Sequence, residues 1–334
     1  MNIRSLPEYL ENLHFRNSDT EEFNLRKYYP ISGKSHKLHI QNYKFSIFTQ
    51  NMALVVFPVS YKGYYPREVA FAEIIIQIRL LNTDIVGLCE VFDNDERLAI
   101  FSSLKDVYPY YLEGPDERDL DQDGGLLLLS KYPFIQTEEI VFTATRGGDA
   151  WANKGALYAR IWPPGISQPI DLIYSHTQDL EATFSNPSNI LDFIPANREI
   201  LLSQFEQILN LLKDKNSVPV PYFIFGDLNM PGDNINDLDD MLKHLGYPAD
   251  LWLVGNNLPE DGLTNIRNNN FYDDGDDKPQ KDHRLDFILM KAYPSFIPVL
   301  KEIHVMKFMK NGRNISDHFG LLARFDEFLN VDTF

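Results

Sequence analysis

Apolar and polar positions along this chain switch repeatedly between a strand-like and a helix-like period. Tyr43 to Asn51 is rich in aromatic and β-branched residues and Ile85 to Glu90 is a short apolar run, so both read as strands. Between them, Arg67 to Leu81 carries apolar residues around most of a helix, which predicts burial between layers. Asp93 or Asn94 is placed to cap a helix reaching Val107. Short strands are predicted at Gly125–Ser130, Ile140–Thr143, Gly155–Trp162 and Ile170–Ser175. Pro195 opens a helix to about Leu212, and a further helix is expected over Ile235–Leu245. Tyr222–Asp227, Leu285–Lys291 and Gly320–Phe325 form the late strands, with a long polar loop before the second of them. Several of these strands are apolar throughout, as expected when both faces are covered. No proline-rich or glycine-rich linker divides the chain, so one α/β domain over 41–334 with an N-terminal extension over 1–40 is the economical organisation.

Length and composition support a large core: 334 residues, 44% of them hydrophobic. The net charge of −17 opposes broad attraction to a phosphate backbone or an anionic bilayer, and a nucleic-acid partner is therefore less favoured. Cys89, inside an apolar run, has no partner for an internal disulfide and reads as a small buried hydrophobe. The N-terminus has no signal-peptide-like apolar stretch, and nowhere do about 18 apolar residues run together. A soluble protein, cytoplasmic or secreted, is expected, with no obligate protein partner evident.

Candidate chemistry lies where polar residues interrupt apolar strands: Asn51, Glu90, His176, Asp227, Asn229, Asp286, Asp317 and His318. Residues two apart on a strand face the same side, so Asp227 and Asn229 are expected to share one cavity. An acid can hold a divalent cation or polarise water, while an amide donates to phosphate oxygens without needing a proton. Glu90 can supply a direct metal contact. A sparse oxygen set suits Mg²⁺, whereas one cysteine and no close histidine pair give Zn²⁺ little support. His176 and His318 supply groups that exchange protons near neutral pH. Either Asp317 or Asp286 is placed to orient His318. The sequon at Asn314 reads as chance.

In order along the chain stand Thr-Gln-Asn at 49–51, Leu-Cys-Glu at 88–90 and Gly-Gly-Leu-Leu-Leu-Leu-Ser-Lys-Tyr-Pro at 124–133. Ser-His-Thr-Gln at 175–178, Gly-Asp-Leu-Asn at 226–229, Arg-Leu-Asp-Phe-Ile-Leu at 284–289 and Ser-Asp-His at 316–318 follow. This ordered set resembles the endonuclease/exonuclease/phosphatase superfamily, and more closely its neutral sphingomyelinase branch, over roughly residues 43–326. The resemblance implies a deoxyribonuclease-like, four-layer α/β (α+β) sandwich: two mostly antiparallel sheets flanked by helices, with Mg²⁺, or alternatively Mn²⁺ or Co²⁺, at one end. It implies Glu90 as principal metal ligand with Asn51 beside it, and His176 stabilising the phosphate or assisting the leaving group. Asp227 and Asn229 would orient nucleophile and phosphate, with Asp227 also in the metal set, and Asp286 would orient His318 as general base. Asp317 would be an auxiliary metal or supporting acid. Asp149-Ala-Trp-Ala-Asn-Lys154-Gly also resembles that branch and suggests Lys154 as a substrate-binding residue, against the alternative of a solvated charge. The implied activity is hydrolysis of sphingomyelin or a related phospholipid to release its phosphorylated headgroup; a metal-dependent nuclease or other phosphoesterase, or an inactive binding module, are the alternatives. Phe184 to Ile194 reads either as a lipid-facing loop making peripheral membrane contact or as ordinary packing.

Overall fold

The computed structural model describes residues 37–55, 62–116, 123–181, 194–215, 219–255, 257–272, 278–279, 281–293 and 296–332. Most of the expected extension over 1–40, and the stretch 184–193, lie outside the described residues.

Two six-stranded sheets form the centre of the molecule. Fourteen strands are described: β1 (Lys37–Leu54), β2 (Ile85–Val91), β3 (Tyr110–Gly114), β4 (Leu126–Ser130), β5 (Phe134–Val141), β6 (Gly155–Ile161) and β7 (Ile170–His176). β8 (Tyr222–Asp227), β9 (Ala249–Asp250), β10 (Asp286–Lys291), β11 (Ile297–Met306), β12 (Met309–Lys310), β13 (Arg313–Asn314) and β14 (Gly320–Asp332) follow. The first sheet runs β11-β14-β1-β2-β4-β3 and the second β5-β6-β7-β8-β10-β9, while β12 and β13 make a separate hairpin. Pairing is parallel between β1 and β2 and between β7 and β8, and antiparallel in the other paired strands.

Alternation along the strands divides the core. Phe45, Ile47, Ile85, Cys89, Leu126 and Leu128 pack toward the second sheet, while Phe48, Val86, Leu88, Leu127 and Leu129 meet helices α1 (Arg67–Leu81) and α2 (Asn94–Leu104) on the far side. Helices α3 (Ile194–Lys215) and α4 (Ile235–His244) pack on the second sheet through Leu201, Phe205, Ile208, Leu238 and Met241, and a short α5 (Leu251–Val254) follows. The result is the expected four-layer sandwich. Gly87 lets the sheets approach closely, since an added Cβ there would lie 2.3 Å from the Tyr174 ring.

α1 departs from its expected burial on all sides: Ala70, Ile74 and Ile78 are buried, whereas Ile76 and Leu80 face solvent. Asp93, not Asn94, caps α2 by accepting from Glu96 N at 3.0 Å. Among the described residues, no helix is long and apolar enough to cross a membrane.

Candidate active site

The parallel pairings bring like strand ends together. Asn51 near the end of β1 stands opposite Cys89, one residue before Glu90, and in the second sheet His176, Asp227 and Asp286 are direct partners across β7, β8 and β10. Directly paired residues share a face, so these three side chains project together into the space between the sheets.

Glu90 reaches that space by breaking alternation. Regular pleating would send its side chain outward with Leu88, but its φ is 55°, in the left-handed region. A non-glycine residue there costs about 1–3 kcal/mol, which its surroundings must offset. The turn brings Glu90 Oε1 within 2.9 Å of Asn51 Nδ2, which also donates to Asp227 Oδ2 at 3.0 Å. One amide thus bridges acids from both sheets. Asn51 Oδ1 accepts from Ala53 N at 3.0 Å, so the amide would have to turn over to present oxygen to a cation.

Asn229 is placed differently from the expectation. β8 ends at Asp227, and Asn229 lies beyond it in a left-handed turn with φ 49°, its N–H donating to Asp227 Oδ1 at 3.1 Å. Its proximity to Asp227 therefore comes from this turn, not strand alternation. Asn229 Nδ2 donates to Thr177 O at 3.0 Å.

Lys154 converges on the same carbonyl. It is 2% exposed, which rules out a solvated charge, and its Nζ donates to Thr177 O at 2.7 Å and His176 Nε2 at 2.9 Å. Asp149 Oδ1 lies 2.9 Å from the same ammonium. Burial opposes the charge on Lys154, but Asp149 outweighs it and holds the amine above its usual range. His176 goes the other way: burial, then Lys154 and His318, hold it well below the usual imidazole range. Because the Lys154 ammonium can only donate, the His176 proton sits on Nδ1, which is buried with no hydrogen-bond partner among the described residues. His176 Nε2 is 3.8 Å from both Glu90 Oε1 and Asp227 Oδ2.

His318 faces this group from the first sheet's side of the cavity. Its Nδ1 donates to Asp286 Oδ2 at 2.8 Å and lies 3.7 Å from Asp227 Oδ2. Asp286, not Asp317, is therefore its orienting acid. Burial disfavours the imidazolium, but Asp286 and Asp227 prevail and hold His318 well above its usual range. Asp317 instead accepts from Tyr272 OH at 3.4 Å, and its Oδ1 has no partner among the described residues. Ser316 Oγ donates to Asn51 O at 2.6 Å and Gln50 Nε2 donates to His318 O at 2.9 Å, tying the His318 segment to β1. Gln50 stood out in the sequence only as the neighbour of Asn51, and Tyr272, in the long polar loop, did not stand out at all.

Asn314 is buried and donates through Nδ2 to Asn269 Oδ1 at 2.7 Å, so its amide is not available for a glycan.

The carboxylates fit a hard cation. Glu90 is pushed up to about 7 by burial and by Asp317, and Asp227 to about 7 by burial and by Asp286, with His318 and Lys154 offsetting only part of that rise. Donor atoms of Asp227, Asp286 and His318 also lie within 4.8 Å of one another. Within that trio His318 Nδ1 and Asp286 Oδ2 already serve each other, while Asp227 stands beside Glu90 through the shared Asn51 amide.

Residues 56–318 match the endonuclease/exonuclease/phosphatase family. The chain belongs to that family. A phospholipase C of Staphylococcus aureus is 27% identical over 265 residues, spanning 72% of this chain and 76% of the relative. A sphingomyelinase C of Bacillus cereus is 28% identical over 242 residues, 65% of this chain and 67% of the relative. Within the family the chain therefore stands with the sphingomyelinase branch. Among solved structures, SmcL superposes with a TM-score of 0.61 at 22% identity, covering 85% of this chain and 99% of SmcL. A Staphylococcus aureus beta toxin variant with bound magnesium ions gives 0.57 at 22% identity, covering 84% and 99%. Truncated TDP2 of Caenorhabditis elegans gives 0.60 at 15% identity, covering 85% and 98%, and so shares the fold.

Proposed function

We propose that this family member is a Mg²⁺-dependent phosphodiesterase that hydrolyses sphingomyelin or a related phospholipid and releases the phosphorylated headgroup. The observation carrying this reading is the bridge from Asn51 to both Glu90 and Asp227, set between neutral His176 on one side and the His318–Asp286 pair on the other. Relatives named phospholipase C and sphingomyelinase C support the substrate class.

Glu90 and Asp227 would hold the cation, with the Asn51 amide beside them and Asp317 as an outlying acid; bound there, it would neutralise charge building on phosphoryl oxygens. His318, with Nδ1–H committed to Asp286, would take a proton from water on Nε2 in its neutral form, which a cation neutralising Asp227 would favour over the imidazolium. The water oxygen forms a bond to phosphorus as the bond to the leaving alkoxide breaks; the alkoxide takes a proton from solvent, and His318 returns to solvent the proton it accepted. His176 and Lys154 face the developing negative charge from the other flank, while Asn229, fixed on the Thr177 carbonyl, helps place the phosphate. No covalent enzyme intermediate is required. Access to the lipid implies peripheral contact with a bilayer, and a net charge of −17 does not oppose a zwitterionic surface.

The test is an assay of purified protein on sphingomyelin, phosphatidylcholine, plasmid DNA and an inositol phosphate, with Mg²⁺ and with chelator. Phosphocholine release that chelation abolishes is expected. DNA nicking without phosphocholine release would move the assignment to a nuclease.

A further inference from the structure

The wall beside His318 carries a second imidazole held by an acid. Asn265 makes two antiparallel bridges at once, one to His283 and one to His318. On the His283 side the pair exchanges both backbone hydrogen bonds, Asn265 N to His283 O at 3.0 Å and His283 N to Asn265 O at 2.8 Å. On the other side Phe319 N donates to Thr264 O at 2.7 Å, the neighbouring bond of a non-exchanging pair. Directly opposed residues of antiparallel segments present their side chains to one face. His283, Asn265 and His318 therefore stand in a row on the face where His318 works, with their Cα atoms spanning about 10 Å from end to end.

His283 is held by an acid of its own. Both oxygens of Asp233 lie 3.1 Å from its Nδ1, and Asp233 is fixed in turn by Arg284 N, which donates to Oδ1 at 3.1 Å. Arg284 itself points the opposite way, fully buried against Asp250 and the Phe287 ring. The His283 side chain is 24% exposed, and Asn265 beside it is 8% exposed with no hydrogen bond from its side chain to another described residue. Nδ1–H directed at Asp233 leaves Nε2 as an acceptor. An acceptor on this face, one residue removed from the general base, is within reach of a substrate whose phosphate sits at His318.

We infer that His283, positioned by Asp233, is a specificity-determining residue that accepts a hydrogen bond from a hydroxyl or amide N–H near the scissile phosphodiester. This rests on the phosphodiesterase reading above. It favours a substrate with a sphingoid base, which carries both donors close to its phosphate-bearing carbon, over a diacylglycerol backbone, which carries neither.

The experiment compares the parent, H283L, H283Q and D233A on micellar sphingomyelin, micellar phosphatidylcholine and bis(p-nitrophenyl) phosphate, with melting curves confirming the fold. In H283L, kcat/KM for sphingomyelin is expected to fall roughly fivefold to tenfold, mostly through KM, as one neutral hydrogen bond is lost. Rates on the other two substrates change little. H283Q, which keeps an acceptor, recovers part of the preference, and D233A shows a smaller loss of the same kind. Sphingomyelin lacking its 3-hydroxyl separates the donors: loss of the preference assigns the hydroxyl, and retention assigns the amide. Equal loss on all three substrates in H283L, or an unchanged sphingomyelin preference, would overturn the inference. A parent inactive on both lipids but active on bis(p-nitrophenyl) phosphate would instead overturn the lipid substrate itself.

Discussion

Lys154 Nζ stands 2.9 Å from His176 Nε2, so an ammonium occupies the imidazole nitrogen that faces the two acids. The lysine holds the histidine neutral while keeping a positive charge within the cavity. Replacing Lys154 with methionine removes that charge at similar volume. His176 in K154M is expected to titrate at higher pH than in the parent, because the Lys154 charge is one of the causes of its depression. Imidazole NMR signals followed through a pH series check this, and an unchanged His176 titration would remove Lys154 as a cause.

His318 and His176 flank the acids from opposite sides, and each does a separate job in the proposed reaction. H318A is expected to lose roughly a hundredfold to ten-thousandfold in kcat as the proton acceptor disappears, and H176A is also expected to lose orders of magnitude. H176A should melt near the parent temperature, and H318A should stay folded but melt lower because Asp286 loses its buried partner. Near-normal turnover in both would sink the mechanism.

Metal and protons compete for Glu90 and Asp227. Each acid is pushed up to about 7, so without a cation the folded protein holds protons that the unfolded chain has released. The sign follows: in chelator the contribution of these two acids to stability is fully present below about pH 4, the unfolded carboxylate range, and is lost as pH rises toward 7. Mg²⁺ binds the ionised acids and should raise Tm more at about pH 8 than at about pH 6. Calorimetry of the parent and E90Q tests this, with the Mg²⁺-induced rise expected to shrink in E90Q. An equal rise in both would place the cation elsewhere.

Gly226 precedes the site acid of β8 at φ 134°, and an added Cβ would lie 2.0 Å from Ser175 O. That oxygen belongs to a paired strand and cannot step aside. G226A should therefore lose about 3 kcal/mol or more from strain and overpacking together, read by chemical denaturation. A loss below about 1 kcal/mol would show that the strands separate more easily than their register implies.

The strands that build the core were readable because they are apolar throughout: Tyr222–Asp227 is found at its expected bounds, and Ile170–Ser175 gains only His176. Edge and extended strands were less legible. β3 begins with two exposed tyrosines, β11 places Lys301 and His304 on its open side, and β14 continues past Phe325 through charged positions. Such strands are specified by their partners as much as by their own pattern. At the site, strand ends marked Asn51, Glu90, His176, Asp227 and Asp286, but two positions depend on left-handed backbone that no hydropathy pattern reveals. Glu90 faces the cavity against its alternation, and Asn229 meets Asp227 after the strand has ended. The choice of Asp286 over Asp317 as partner of His318 was a matter of tertiary approach, settled at 2.8 Å.

Asn51 spans a seam. Its single amide touches Glu90 from its own sheet and Asp227 from the other, so the distance between those acids is set by how the two halves dock. Neither half holds a usable fragment of the centre. Activity lost in denaturant should track inter-sheet docking and not the melting of any one helix, and a chain that retains its strands with the seam slackened would be catalytically silent.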